Sequence, residues 1–476
     1  MKKSSKKRNY CIRFSLGIFL ILLFSSNAFS DTLNLDLNQA IRMAMENNHE
    51  IVSAGYKMDE AKSGVKIAKT NFLPKIKAQA SYTKLDEVPY MDASGFGSLF
   101  EPLMAPFEDL VANGYLDPST LSGLSGANGP SRITVGDDDI YNINLSLEQP
   151  IFTGFALVNN LKINKYQKSN SELSSKRLKE KIWLQVTTAY WGLLSAIEFE
   201  KVTEESILQL ESHVQDLKNL LEAGMIIEND LLTAELVLSN IRLQDVRVKN
   251  GVNLANSSLC NILAIDQNIK IVPSEQLHSE NYPLPELDDL FQRALNTRAD
   301  YKVINNNLKI LNKVKAIKKA EYLPRLALVA NYDWNRPNRE YNPEFYDSWN
   351  INLVATMNIF GWGQRHHEIQ KVKAQKNQLS EFHKQFADLI KLETRLAYQS
   401  VLEARQEVDI AELAVSQAKE NYRVTSENYH AGMKTNSDLL DAQTALTQSK
   451  IMYIQIKAKY KIAIASLQTA ISDTKE

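Results

Sequence analysis

Apolar residues in this chain change their spacing at sharp, readable points. From residue 37 to 71 they recur at helical intervals, and the run ends at Leu73-Pro74, because proline cannot continue a helix and restricts the residue before it. The period then falls to two: Ile76, Ala78, Ala80 and Tyr82 alternate with Lys75, Lys77, Gln79 and Ser81. After a long interruption the alternation returns as Tyr141, Ile143, Leu145 and Leu147 against Asn142, Asn144, Ser146 and Glu148. Further on, Leu326, Leu328, Ala330 and Tyr332 form a third such stretch, and Ile351, Leu353, Ala355 and Met357 a fourth. Each predicts a strand of ~10 residues, the length of a transmembrane barrel strand. The edge of a soluble β-sandwich alternates equally well. Four strands cannot close a barrel, since small ones need about eight, and an open sheet edge is not tolerated in lipid. If these strands lie in a membrane, several chains share one barrel.

Between Ala156 and Glu222 there is no proline and a single glycine, Gly192, which predicts one helix of ~100 Å. A turn is expected at Ala223-Gly224-Met225, where glycine suits a left-handed helix end. A return helix follows with an unbroken heptad seam: Leu231, Ala234, Leu238, Ile241, Asp245, Val248, Val252, Ala255, Leu259 and Ile262. The later stretch from Leu439 through Ala442, Leu446, Ser449, Tyr453, Ile456, Tyr460, Ala463 and Leu467 to Ala470 keeps the same register. This 3-4 spacing is what coiled-coil packing requires. The helix of residues 38–71 and that of 226–262 reach ~100 Å if stacked end to end, matching the long helix.

The two halves of the pattern are one pattern repeated. At a separation of 250 residues Phe72-Leu73-Pro74 matches Tyr322-Leu323-Pro324. At a separation of 208, Ile143-Asn144-Leu145 matches Ile351-Asn352-Leu353, Ile151-Phe152 matches Ile359-Phe360, and Ala223-Gly224-Met225 matches Ala431-Gly432-Met433. The first half therefore carries a strand-to-strand connection 42 residues longer. Such internal repetition decides the fold class before any single element does. The expected division is a leader at 1–30, a first repeat at 31–270 with its tip at 223–225, a proline-bearing linker at 271–286, and a second repeat at 287–476 with its tip at 431–433.

Composition narrows the setting. Lys2, Lys3, Lys6, Lys7 and Arg8, then the apolar run from Phe14 to Phe24, then Ala28-Phe29-Ser30 read as a cleavable secretory signal, too short in its apolar part to span a membrane. Cys11 lies before the apolar core, where lipoprotein processing would not use it. Past the leader no run has ~18 consecutive apolar residues. Only Cys260 remains after the leader, so no internal disulfide forms, and its place beside the seam makes it a structural thiol. A net charge of −1 gives no signal for nucleic acid. No nucleophile elbow, zinc-helix pair or glycine-rich phosphate loop is present, which argues against an enzyme or a bound cofactor. His366 and His367 are adjacent on a helix and point apart, so they are not a metal pair. Asp137-Asp138-Asp139 lack EF-hand spacing and read as a solvated loop rather than a calcium site. Trp183, Tyr190 and Trp191 read as packing residues. A porin would need many more alternating segments.

This arrangement resembles the TolC-like outer-membrane efflux factors over essentially the whole chain past the leader. The resemblance rests on Phe72-Leu73-Pro74 and Tyr322-Leu323-Pro324 before the strands, Gln149-Pro150-Ile151-Phe152 and Asn358-Ile359-Phe360-Gly361 after them, and the two tips. It implies an α+β membrane protein: a homotrimer with a twelve-stranded β-barrel in the outer membrane and a long antiparallel coiled-coil α-barrel in the periplasm. It also implies partners, a periplasmic adaptor and an inner-membrane transporter, for which the duct exports a cargo by efflux or type I secretion. The alternative is a periplasmic adaptor, which has one helical hairpin where this chain has two. The 87–139 connection is longer than the family pattern, and Lys434 stands where its best-known member has arginine.

The tips carry the candidate site. Gly224, Met225, Gly432 and Met433 are the expected adaptor-docking residues, with Ile226 exposed beside Met225. Asp438 and Asp441, three apart, share a face of the last helix and would form stacked carboxylate rings in a trimer, attracting cations at a constriction. In the family a tip tyrosine and a basic residue bond to an aspartate of the neighbouring hairpin and hold the entrance shut. The matching residues are Tyr429, Lys434 and Asp230, with Asn229 beside it. Asp438 and Asp230 also suit a helix N-terminus, where the macrodipole favours carboxylates.

Overall fold

A computed structural model describes residues 32–92, 94–119, 132–278 and 282–474; the expected leader at 1–30 with Cys11, and residues 279–281 of the expected linker, lie outside these. The chain begins with β1 (Thr32–Leu35), α1 (Leu37–Asn47) and α2 (His49–Thr70). The expected single helix over 37–71 is thus two. Asn48 breaks it with extended backbone (φ −61°, ψ 125°) and caps α2 by accepting from Glu50 N. Its Nδ2 donates to the Ile262 carbonyl at 2.9 Å, tying the joint to the end of a distant helix.

Next come β2 (Lys75–Lys84), β3 (Tyr90–Asp92), α3 (Ser94–Ala112), β4 (Arg132–Thr134) and β5 (Asp139–Phe152). The long connection, which the sequence left without elements, is a β3–β4 extension of the hairpin that carries a helix. The remaining elements are α4 (Ala156–Glu222), α5 (Glu228–Leu263), β6 (Lys270–Pro273), α6 (Leu287–Thr297), α7 (Ala299–Ala320), β7 (Arg325–Arg336), β8 (Tyr346–Thr356), α8 (Gln364–His430) and α9 (Asn436–Ala470). The start of the expected linker is β6, paired in parallel with β1. No helix among the described residues is long and apolar enough to cross a membrane.

Four strands form one sheet in the order β2-β5-β7-β8. Ile76 lies opposite Leu147, Leu147 opposite Ala330, and Ala330 opposite Ile351. The pleat therefore gathers Ile76, Tyr82, Leu145, Tyr332, Trp349 and Ile351 on one face. Trp349 is 70% exposed and Leu353 68%, so the described residues leave this face uncovered. The opposite face is polar: Asn144 donates to Asp333, Asn331 to Asn350, and Asn352 to Asn350. An apolar outside and a hydrogen-bonded polar inside is the sidedness of a membrane barrel wall.

The helices also form one layer. α4 packs on α2 and α7 above and on α5 and α9 below, and α8 packs on α7 and α9. The order across the layer is α2 over α5, then α4, then α7 over α9, then α8. At 1.5 Å per residue, the 67 residues of α4 and of α8 make rods of about 100 Å. Every seam position on α5 is sheltered, with Ala234 and Leu259 fully buried. Where the stacked helices meet, Ile182, Trp183, Val186, Tyr190, Trp191 and Leu263 build the main core. Burial pushes the Tyr190 phenol up to about 12, and its hydroxyl donates to the Leu35 carbonyl at 3.0 Å. Cys260 is fully buried and its thiol is pushed up by burial, the behaviour of a packing residue.

Candidate gate and docking tips

Both long helices end in the same turn. At the first tip Gly224 N bonds to Leu221 O and Met225 N to Leu220 O, both at 2.9 Å; at the second Gly432 N bonds to Tyr429 O at 2.9 Å and Met433 N to Asn428 O at 2.8 Å. This is the Schellman pattern, which needs a left-handed residue after the cap. Gly224 and Gly432 supply it with φ of 71° and 72°. Met225 and Met433 are 72% and 70% exposed. Ile226, expected to be exposed, instead packs against the core of the first hairpin. Ile227 is the exposed apolar neighbour, at 66%, because the chain must turn one residue further before α5 starts at Glu228.

At the second tip Asp438 is the third residue of α9 and closes a capping box with Thr435. Its carboxylate accepts from Thr435 N at 2.9 Å and Thr435 Oγ1 at 2.8 Å, and from Lys434 Nζ at 3.2 Å. These bonds, the Thr435 amide first, pull the Asp438 carboxyl down to about 2. Asp441 is exposed one turn on. Lys434 thus reaches its own helix within the chain rather than Asp230.

Tyr429 sits edge-on to His213, with ring centroids 5.6 Å apart. Burial, then the charges of Asp230 and Asp216, push its phenol up, so it stays a neutral donor. Asp230 takes part through its backbone, whose carbonyl accepts from Asn436 Nδ2 at 2.9 Å. Asn436 is 6% exposed and its Oδ1 lies 2.7 Å from His213 Nε2. With Nδ2 already donating, Oδ1 is the acceptor and His213 the donor. Asn229 contributes a carbonyl to Thr233. His213 and Asn436, which no motif marks, therefore help tie one hairpin tip to the other. The signal available in the sequence was the polar residue Asn436 three positions before the first seam residue, Leu439. Above them Gln443 bonds to the exposed Gln209, and the buried Ser206 to Thr447, so the contact between α4 and α9 near the tips carries a series of polar pairs.

At the other end of the molecule Asp137, Asp138 and Asp139 bring carboxylate oxygens within 4.8 Å of one another. Lys84 pairs with Asp138 and Asp139, and Arg336 with Asp137, so local cations already answer their charge. The His366 and His367 rings stand edge-on, 5.5 Å apart.

An open four-stranded sheet joined to two long helical hairpins is a fold found in solved outer-membrane channels. Solved structures share it along nearly the whole chain. The Campylobacter jejuni CmeC outer membrane channel is 17% identical over 100% of this chain and 95% of that one, with a TM-score of 0.72. A membrane protein from Pseudomonas aeruginosa is 16% identical over 93% and 94%, with a TM-score of 0.74. The outer membrane protein VceC from Vibrio cholerae is 14% identical over 91% and 95%, with a TM-score of 0.70. At these identities the likeness is one of fold. No curated protein matches the chain in sequence. Residues 290–472 match the family of outer membrane efflux proteins.

Proposed function

We propose that three copies of this chain form a passive exit duct across the outer membrane and periplasm, opened at its periplasmic end by an adaptor and an inner-membrane transporter. The observation that carries the reading is that both layers of the chain end in unsatisfied edges. β2 and β8 border the sheet, and unpaired backbone cannot face lipid. The helical layer ends in α5 and α8. On α5, Leu232, Leu236, Leu243 and Val246 are 54–65% exposed, roughly opposite the seam that faces α4. On α8, Leu392, Leu396, Ile410 and Leu413 are 52–69% exposed, again roughly opposite its buried side. Two apolar edges on one layer fit a closed ring of copies, and three copies supply twelve strands, more than the about eight that a small barrel needs to close. The two halves, 31–270 and 287–476, act as structural repeats joined at 271–286.

In that ring the tips meet at the periplasmic entrance. Gly224, Met225, Gly432 and Met433 present the exposed turns to the adaptor. Asp438 and Asp441 ring the constriction, and Tyr429 and Lys434 reach Asp230 and Asn229 across the neighbouring tip, Lys434 exchanging its bond to Asp438 for one between copies. The cargo is set by the transporter, since a conduit of this kind selects little. Native mass measurement in detergent tests the assembly: a trimer is expected, and a stable monomer would sink the reading.

A further inference from the structure

The two hairpins of the sheet are paired in the same register, and this fixes how copies join. Ile76 faces Leu147 in the first hairpin, and Leu326 faces Ala355 in the second. The offsets of 250 and 208 that relate the halves carry the one pair onto the other. The junction between the hairpins is the β5–β7 ladder, where Leu145 faces Tyr332, Leu147 faces Ala330 and Pro150 faces Ala327. Moving β5 onto β8 and β7 back onto β2 by the same offsets turns this junction into one between copies.

We infer that β8 of one copy pairs antiparallel with β2 of its neighbour with Leu353 opposite Tyr82, Ala355 opposite Ala80 and Met357 opposite Ala78. The inference rests on the shared-barrel reading and adds the residue-by-residue contact. Three features of the chain agree with it. The register puts apolar-face residues of β8 against apolar-face residues of β2 and leaves Asn352 opposite Thr83 on the polar face, as a period of two demands. It gives a partner to residues 357–360, which are irregular here although their counterparts at the end of β5 are paired. Met357, Ile359 and Phe360 are 52%, 84% and 68% exposed, and in the ring they continue β8. It also places a bulge between Asn358 and Phe360, the counterpart of the register shift between Pro150 and Phe152, a device that bends a strand where a barrel wall ends.

Cysteine pairs read the register directly, because a disulfide needs Cβ atoms within about 4.5 Å. In a Cys260→Ser background, Leu353→Cys with Tyr82→Cys and Asn352→Cys with Thr83→Cys sample the two alternating pair types of an antiparallel ladder. Mild oxidation in the outer membrane is expected to give covalent dimers and trimers from at least one of these pairs. Leu353→Cys with Ala78→Cys, four residues out of step, is expected to stay monomeric on denaturing gels. Cross-linking only in the displaced pair overturns the register while keeping the shared barrel. A trimeric native mass without cross-links in any pair overturns the pairing of β8 with β2. A monomeric native mass removes the shared barrel itself.

Discussion

At the residue scale, the strand-to-helix junctions show how one backbone shape is met by two sequences. Gly154 and Phe155 are left-handed in the first half (φ 60° and 67°), Trp362 and Gly363 in the second (φ 50° and 81°). The glycine and the aromatic have changed places, and in each half an aromatic carries a conformation that L side chains resist. The glycines are not equivalent in their surroundings. A Cβ on Gly154 would meet the Ala320 carbonyl at 2.9 Å, whereas one on Gly224 or Gly432 would meet nothing within 4 Å. Gly154→Ala is expected to lower stability by about 2–4 kcal/mol, strain and clash together, and Gly224→Ala by about 1 kcal/mol from strain alone. Thermal denaturation of the assembled protein separates them, and equal losses would show that packing at the junction does not matter. Bulky residues at Gly224 and Gly432 are expected instead to abolish export while the assembly persists in the membrane; unaltered export in both variants would remove the docking role. Asp438 gives a pH dependence of known sign. Its folded-state value lies below that of an unfolded aspartate, so its stabilisation of α9 is full above roughly pH 4 and fades as pH falls toward 2. Amide exchange in the first turn of α9 should lose protection over that window in the wild type, and Asp438→Asn should be less protected at neutral pH and flat through it.

At the element scale, what could be read in advance was periodic and what could not was a matter of partners. The long helices, their glycine tips and the four strands followed from spacing, and the core roles of Trp183, Tyr190 and Trp191 from their place within a helix. The break at Asn48 did not, because asparagine is tolerated in a helix until its side chain finds something better: here Glu50 N and the distant Ile262 carbonyl. Its counterpart Arg298 was hidden for the same reason. It is 2% exposed, with its guanidinium shared between Asp300 at 2.7 Å and Glu393 at 2.5 Å. Arg177 reaches both Asp300 and the buried Glu180, so the network links the break in the second half to α4. Spacing alone could not show which acids a buried arginine meets. Arg298→Met leaves Asp300 without its nearest cation and is expected to cost about 3 kcal/mol or more. Arg298→Lys should recover little, lacking the fork that serves two carboxylates. Melting temperatures of the two variants check this, and a fully stable Arg298→Lys would reduce the site to a single point charge.

At the scale of the whole molecule, the seams within each hairpin are apolar, while the contact between hairpins mixes polar pairs with apolar packing. Ser206 with Thr447, Gln209 with Gln443 and His213 with Asn436 join α4 to α9, beside Leu440, which packs into the cluster of Leu210, Leu217, Ala234 and Leu238 that joins α4 to α5. Polar pairs exchange for water at little net loss, about 1 kcal/mol each, whereas separating an apolar seam leaves surface wet. Opening should therefore move hairpins as units and spend its energy at the tips. There the proposed bonds of Tyr429 and Lys434 to the neighbouring Asp230 are worth roughly 1–3 kcal/mol each, a sum that adaptor binding can supply. Within a single chain Lys434 holds Asp438 instead, so the two roles of this lysine give opposite results in a planar bilayer. If it only caps α9, Tyr429→Phe with Lys434→Ser leaves conductance as it was. If it latches copies together, the double variant conducts more from the same small, cation-selective baseline. Asp438→Ala with Asp441→Ala should then remove block by divalent cations, since two stacked rings of carboxylates attract them at a constriction. A wild-type pore that is already wide and indifferent to charge would overturn the gate at both levels.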